Sequence, residues 1–234
     1  MPETGPFKID AIPPAISPIS GFTPDGQQGW FDNSPAVDTV SAADDISGIA
    51  SIDCTDDLNG LTMTGSGESR ALTVNGSGIQ HLRCTATNVA GNTSAPTTLT
   101  VKIDATPPSC TAAATPQSLW PPNHQLADVT VSLKASAGVS GLQSITGVQA
   151  SSNEDNTDIA ANVQGLGIRQ THPPAAPDST GPASYMSTAT GQVRSERFGN
   201  SSGRIYTLMY TVANMAGSTA PCAATITVPH DQGG

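Results

Sequence analysis

At 234 residues the chain is too long for one small β-sandwich and a comfortable length for two. Nine Lys and Arg against nineteen Asp and Glu give a formal net charge of -10, which disfavours nucleic acid and anionic membrane surfaces by like-charge repulsion and leaves a cation as the better partner. With 23 Gly, 19 Pro, 36% hydrophobic and only 4% aromatic residues, the composition predicts short strands, many turns and thin cores of Val, Ile, Leu and Ala that favour covalent staples.

No apolar run reaches the roughly 20 residues of a membrane helix, so membrane insertion is not expected. The opening Met1-Pro2-Glu3-Thr4-Gly5 lacks the basic and apolar regions of a signal peptide, and the expectation is a chain excised from a longer precursor. Next comes a segment that repeats: Lys8-Ile9-Asp10-Ala11-Ile12-Pro13-Pro14 returns as Lys102-Ile103-Asp104-Ala105-Thr106-Pro107-Pro108, a period of 94 residues from Lys8 to Lys102. Two further echoes follow in the same order. Ile46-Ser47-Gly48-Ile49-Ala50-Ser51-Ile52 matches Val139-Ser140-Gly141-Leu142-Gln143-Ser144-Ile145, and Asn88-Val89-Ala90-Gly91 matches Asn214-Met215-Ala216-Gly217. The period places residues 1–10 as the tail of a preceding unit, 11–104 as domain 1 and 105–234 as domain 2, with the extended, donor-poor Pro-Pro pair stiffening each junction.

Within domain 1, alternation predicts strands at Val37 to Ala43, Leu72 to Val74 before the Asn75-Gly76 turn, His81 to Thr87, and Thr97 to Ile103. Within domain 2 the same pattern marks Ala127 to Leu133, Leu142 to Val148, Ile205 to Val212 and Ala223 to Val228. No stretch has helical period. The third echo is spaced wider than the others, and the extra length is expected as a long inserted loop at about 155–191, around Thr171-His172-Pro173-Pro174.

Trp30-Phe31-Asp32-Asn33-Ser34-Pro35, Asp44-Asp45-Ile46-Ser47-Gly48-Ile49, Cys84 to Asn92 and the Lys-Ile-Asp…Pro-Pro linker resemble the Ig-like repeats found in tandem in large bacterial surface proteins, over about residues 7–104. The second half resembles another Ig-like module of bacterial extracellular proteins through Leu119-Trp120-Pro121-Pro122-Asn123-His124, Ser152-Asn153-Glu154, Arg194-Ser195-Glu196-Arg197, Gly203-Arg204-Ile205-Tyr206 and Val228-Pro229-His230-Asp231-Gln232. That module implies no particular activity. The resemblance implies an all-β chain of two consecutive immunoglobulin-like β-sandwiches, extracellular or at the cell surface.

Four cysteines divide two and two between the halves, and of the three connectivities open to them the expected pairs are Cys54 with Cys84 and Cys110 with Cys222. The second pair would clasp the first and last strands of domain 2. No CxxC spacing is present, which argues against zinc. Asp44, Asp45, Asp53, Asp56 and Asp57 place five carboxylates within fourteen residues, a density of hard oxygen ligands that suits Ca²⁺, although no EF-hand or nonapeptide calcium pattern accompanies them and a solvated acidic turn is the plainer reading. In domain 2, His124, Glu154, Glu196, Arg197, His230 and Asp231 lie in the distinctive motifs and form a candidate polar cluster, read first as a network that pins loops and alternatively as a metal or ligand site.

Neither half offers an evident helix N-terminus for an oxyanion hole beside the serines and histidines, so no enzyme is expected. Trp30 and Trp120 are the main clue for sugar stacking, with core packing the preferred reading of each. The function expected is a non-enzymatic, adhesin-like structural or spacer pair with no cofactor, partnered by neighbouring domains of its parent protein. The alternative is a carbohydrate- or calcium-binding module that meets a cell-surface glycan or protein.

Overall fold

A computed structural model describes residues 9–171 and 184–231, and the chain divides into two units, Met1–Ala105 and Thr106–Gly234. Unit 1 contains β1 (Ala15–Ile16), β2 (Trp30–Phe31), β3 (Ala36–Ala43), β4 (Ile49–Thr55), β5 (Leu61–Thr64), β6 (Ser69–Val74), β7 (Gly78–Asn88) and β8 (Thr97–Ile103). They form two four-stranded sheets, ordered β1-β3-β6-β5 and β2-β8-β7-β4, antiparallel except for the short β2–β8 pair. Period-two alternation decides which face is inside: along β7, Gln80, Leu82, Cys84, Ala86 and Asn88 are buried, while His81 and Arg83 face solvent. With Val40, Ile52, Leu72, Val74, Val101, Ile103 and Phe31 these residues close an aliphatic core, each large side chain contributing about 1.5–3 kcal/mol on burial.

Unit 2 contains β9 (Ser109–Thr115), β10 (Leu126–Ser136), β11 (Leu142–Ser152), the helical turn α1 (Ile159–Asn162), β12 (Val163–Gln164), β13 (Ile168–Thr171), β14 (Ser184–Arg194), β15 (Gly203–Asn214) and β16 (Thr219–Pro229). Its sheets are ordered β12-β14-β10-β9 and β13-β11-β15-β16. Leu133, Leu142, Ile145, Leu208 and Ile226 fill the core, together with two fully buried tyrosines, Tyr206 and Tyr210. Both units are Ig-like β-sandwiches. Among the described residues, no helix is long and apolar enough to cross a membrane.

The strands expected from alternation lie inside β3, β6, β7, β8, β10, β11, β15 and β16. The inserted loop expected at 155–191 is a correction. Its described part holds α1, β12, β13 and the first residues of β14, which pairs with β10 over its whole length from Leu126↔Arg194 to Ser136↔Ser184. Ser, Thr, Ala and Gly give β14 almost no apolar period, and Met186, its largest aliphatic residue, points to solvent at 81% exposure. Gly191 is required there because a Cβ would collide with the Gln164 carbonyl oxygen and stand 2.8 Å from the Gly165 carbonyl carbon. Residues 172–183 of that loop, and 1–8 of the expected tail, lie outside the described residues. Asp10 is tied into unit 1, its carboxylate accepting from Ser47 Oγ at 2.6 Å and Asn88 Nδ2 at 2.8 Å.

The sequence echoes have a shared physical basis, a turn lock present once in each unit. In unit 1, the buried Asn88 accepts the Asn92 N–H at 2.8 Å and donates to the Ile12 carbonyl at 3.0 Å, while Val89 and Ala90 N–H groups reach the Gly48 carbonyl and Ser47 Oγ. In unit 2, Asn214 accepts the Ser218 N–H at 2.9 Å and donates to the Thr106 carbonyl at 3.3 Å, while Met215 and Ala216 N–H groups reach the Gly141 carbonyl and Ser140 Oγ. Each buried amide thus ties the incoming chain to the turn between the last two strands of its own unit, and satisfies groups that would be costly to bury unpaired.

Candidate functional site

The four cysteines form two disulfides. Cys54 and Cys84 face each other within one sheet, on β4 and β7, at a Cα separation of 4.1 Å. Cys110 on β9 and Cys222 on β16 join the two sheets of unit 2 across a sequence separation of 112. These are the pairs expected from the two-and-two split.

The five aspartates expected as a calcium cluster do not converge. Asp44 and Asp45 precede β4, Asp53 lies on it, and Asp56 and Asp57 follow it, so seven strand residues, about 23 Å, stand between the two ends. Each end has its own work. Asp44 Oδ1 caps the turn by accepting the N–H groups of Ile46, Ser47 and Gly48 at 3.2, 2.7 and 3.0 Å, and Oδ2 accepts from Asn88 Nδ2 at 3.1 Å. The Asn88 donor and then the Ser47 N–H hold the Asp44 carboxyl down at about 2. Asp53 accepts from Ser51 Oγ at 2.8 Å, Asp56 from the Gly60 N–H at 2.7 Å, and Asp45 is exposed. Asp57 pairs with His81 at 2.7 Å, which lowers its pKa. Among the described residues, no group of three or more His, Cys, Asp or Glu is gathered closely enough for a metal ion.

Unit 2 holds a polar network whose centre is a residue the cluster expected from sequence did not include. Arg204 is only 3% exposed. Its Nη1 donates to Glu196 Oε1 at 2.9 Å, Nη2 to the Asp155 carbonyl at 2.8 Å and Nε to Ser152 Oγ at 3.3 Å. Glu154 lies 3.9 Å from Nε, and the guanidinium carbon sits 4.8 Å above the Tyr206 ring. Burial pushes the Tyr206 phenol up to about 12, and its hydroxyl has no hydrogen-bond partner among the described residues. Glu196 also accepts from Asn162 Nδ2 at 3.0 Å and meets His124 Nδ1 at 3.4 Å; Asn162 in turn accepts from Arg194 Nε at 3.0 Å.

Of the residues expected in that cluster, His124, Glu154 and Glu196 join it, and Arg197, His230 and Asp231 do not. Arg197 spends its guanidinium on the carbonyls of Pro229, Phe198 and His230 at 3.2, 3.0 and 2.9 Å, fastening the end of β16. His230 and Asp231 form a separate exposed pair at 3.5 Å. The signal for Arg204 was available in the sequence: it stands in phase with Tyr206, Leu208, Tyr210 and Val212, the inward set of β15, while Ile205 points out. Every carboxylate near Arg204 is bonded by internal donors, so the network holds one pole of the sandwich together.

Two surface recesses bear on binding. On unit 1 an open groove of about 650 Å³ is lined by Asp57, His81, Arg83, Thr98 and Thr100. On unit 2 a recess of about 310 Å³ borders Trp120, Asn123 and Gln125. The tryptophans part company here. Trp30 is 2% exposed, with Lys102 Nζ 5.3 Å from its ring centroid, whereas Trp120 is 43% exposed against the expectation of core packing.

The fold and these internal networks define a chain of two disulfide-bonded Ig-like β-sandwich domains. No protein-family model and no curated protein sequence matches the chain. Among solved structures it is similar to the D00-D0 domain of intimin, at 11% identity over 91% of this chain and 98% of that one with a TM-score of 0.41. It is also similar to protocadherin gamma C5 EC1-3, at 14% identity over 94% and 69% with a TM-score of 0.42, and to the Clostridium thermocellum CbhA fibronectin(III)-like modules, at 11% identity over 92% and 94% with a TM-score of 0.29.

Proposed function

We propose that the chain is a non-enzymatic, adhesin-like spacer pair from a secreted or cell-surface bacterial protein, organised like the tandem bacterial Ig-like repeats. The observation that carries this reading is the Cys110–Cys222 bridge between the first and last strands of unit 2. Tension entering at one end of the unit and leaving at the other passes through that covalent bond and bypasses β10 to β15. A surface stalk needs this property. Two structural disulfides also belong to an oxidising compartment, which supports a location outside the cytoplasm. Among the side chains that suggested chemistry, Asp44 is engaged in the turn lock and Glu154 and Glu196 in the Arg204 network, which are scaffold roles.

Single-molecule pulling on the full chain tests the proposal. With the bridges intact, the segment from Cys110 to Cys222 should release no length; a reductant should add about 400 Å from that segment, at about 3.6 Å per residue over a separation of 112. Equal extension with and without reductant would refute the tension path.

A further inference from the structure

The segment leading into β10 in unit 2 contains Trp120-Pro121-Pro122-Asn123-His124-Gln125, and it is fixed from both sides. Ser195 Oγ donates to the Pro121 carbonyl at 2.7 Å and Arg194 Nη1 to the His124 carbonyl at 2.7 Å. The His124 N–H reaches the Ser195 carbonyl at 2.9 Å, and the Ser195 N–H reaches the Gln125 carbonyl at 2.8 Å. On the preceding side the Leu119 N–H bonds the Thr227 carbonyl, the Thr227 N–H bonds the Gln117 carbonyl, both at 2.9 Å, and the Leu119 side chain is buried. A loop held this firmly presents its largest apolar side chain outward, since Trp120 is 43% exposed where the other tryptophan, Trp30, is 2% exposed.

The surroundings of Trp120 limit what can cover it. The recess of about 310 Å³ is lined by Pro116, Ser118, Pro121, Asn123 and Gln125 among others, and among the described residues no Asp, Glu, Lys or Arg lines it. Asn123 Oδ1 accepts the Gln125 N–H at 3.0 Å, which orients the Asn123 amide and leaves its NH₂ as a donor. The Ser118 and Gln125 side chains are exposed hydroxyl and amide groups. A preorganised aromatic plane flanked by neutral donors and acceptors matches a pyranose, whose C–H face is apolar and whose edge carries hydroxyls. The absence of cationic lining, on a chain of net charge -10, disfavours acidic sugars.

We infer that the Trp120 recess of unit 2 binds a neutral, hydroxyl-rich sugar chain, with the indole as stacking platform and Asn123 and Gln125 as hydroxyl partners. This goes beyond the spacer role and stands independently of it.

The test combines affinity electrophoresis with tryptophan fluorescence on the full chain. Gels contain dextran, mannan or laminarin as neutral probes and polygalacturonate as the acidic control. The expected result is retardation by at least one neutral polysaccharide and none by polygalacturonate. Trp120 is the exposed one of two tryptophans, so the same polysaccharide should shield the quenchable part of the emission from acrylamide. Trp120→Ala should lose the retardation, Trp120→Phe should retain it in weakened form, and Gln125→Ala should weaken binding about fivefold, the worth of one hydrogen bond. An unchanged melting temperature in each variant shows that the fold is intact. Mobility unaffected by all three neutral probes, retardation by polygalacturonate alone, or binding that survives Trp120→Ala would each overturn the inference.

Discussion

Replacing Arg204 with Met keeps most of the aliphatic stem and deletes the guanidinium, so it isolates the charge at the centre of the unit 2 network. Arg204 is 3% exposed and its partners differ: Glu154 is 4% exposed but lies at 3.9 Å, while Glu196 is bonded at 2.9 Å but 25% exposed. Breaking a fully buried pair costs about 3–5 kcal/mol because a charge is stranded. The longer contact to Glu154 and the solvent reaching Glu196 place this case near the lower end, at about 3 kcal/mol. For a unit spanning Thr106–Gly234, at about 4 °C per kcal/mol, the calorimetric transition of unit 2 should fall by about 12 °C while that of unit 1 stays in place. If the cost comes from stranded carboxylates, then adding Glu154→Gln and Glu196→Gln to the Met variant should recover about half of it, a clear departure from additivity. A loss below about 1 kcal/mol for Arg204→Met, or further additive loss on neutralising the two glutamates, would show that the network does not hold unit 2 together.

Two further outcomes follow from local geometry. Gly191→Ala places a methyl against the Gln164 carbonyl and should cost about 1–3 kcal/mol in urea unfolding by forcing β12 away from β14; unchanged stability would mean that the strands separate freely. Asp44→Ala should lower the melting temperature of unit 1 at pH 7. Because the folded Asp44 carboxyl is depressed from 3.8 to about 2, its contribution is complete above about pH 4 and disappears as the pH falls through about 2. The gap between wild type and variant should therefore close over that window, and a gap of constant size at pH 2 would refute the capping role.

The eight strands read from alternation were legible because a half-buried strand must present apolar residues at every second position, and β7 and β15 do so plainly. The turn lock was legible as a repeat, since Asn88 and Asn214 each need the same Ser-Gly and incoming-chain partners. Cysteine number divided by halves was enough to select the two bridges. What failed were inferences from nearness in sequence. Asp44 to Asp57 read as one cluster, but an extended strand carries side chains apart at about 3.3 Å per residue and sends the two groups to opposite ends of β4. Strand β14 was hard to see because the middle of its inward set, Ser187, Ala189 and Gly191, is small, with Tyr185 and Val193 only at its ends, and pairing with β10 along its whole length makes it a strand. The Arg204 network draws on residues from Ser152 to Arg204 with His124 at its margin, and the exposure of Trp120 depends on what Ser195 and Thr227 leave uncovered. Such contacts are set by the closing of two sheets over a core, which brings together side chains that no local period relates.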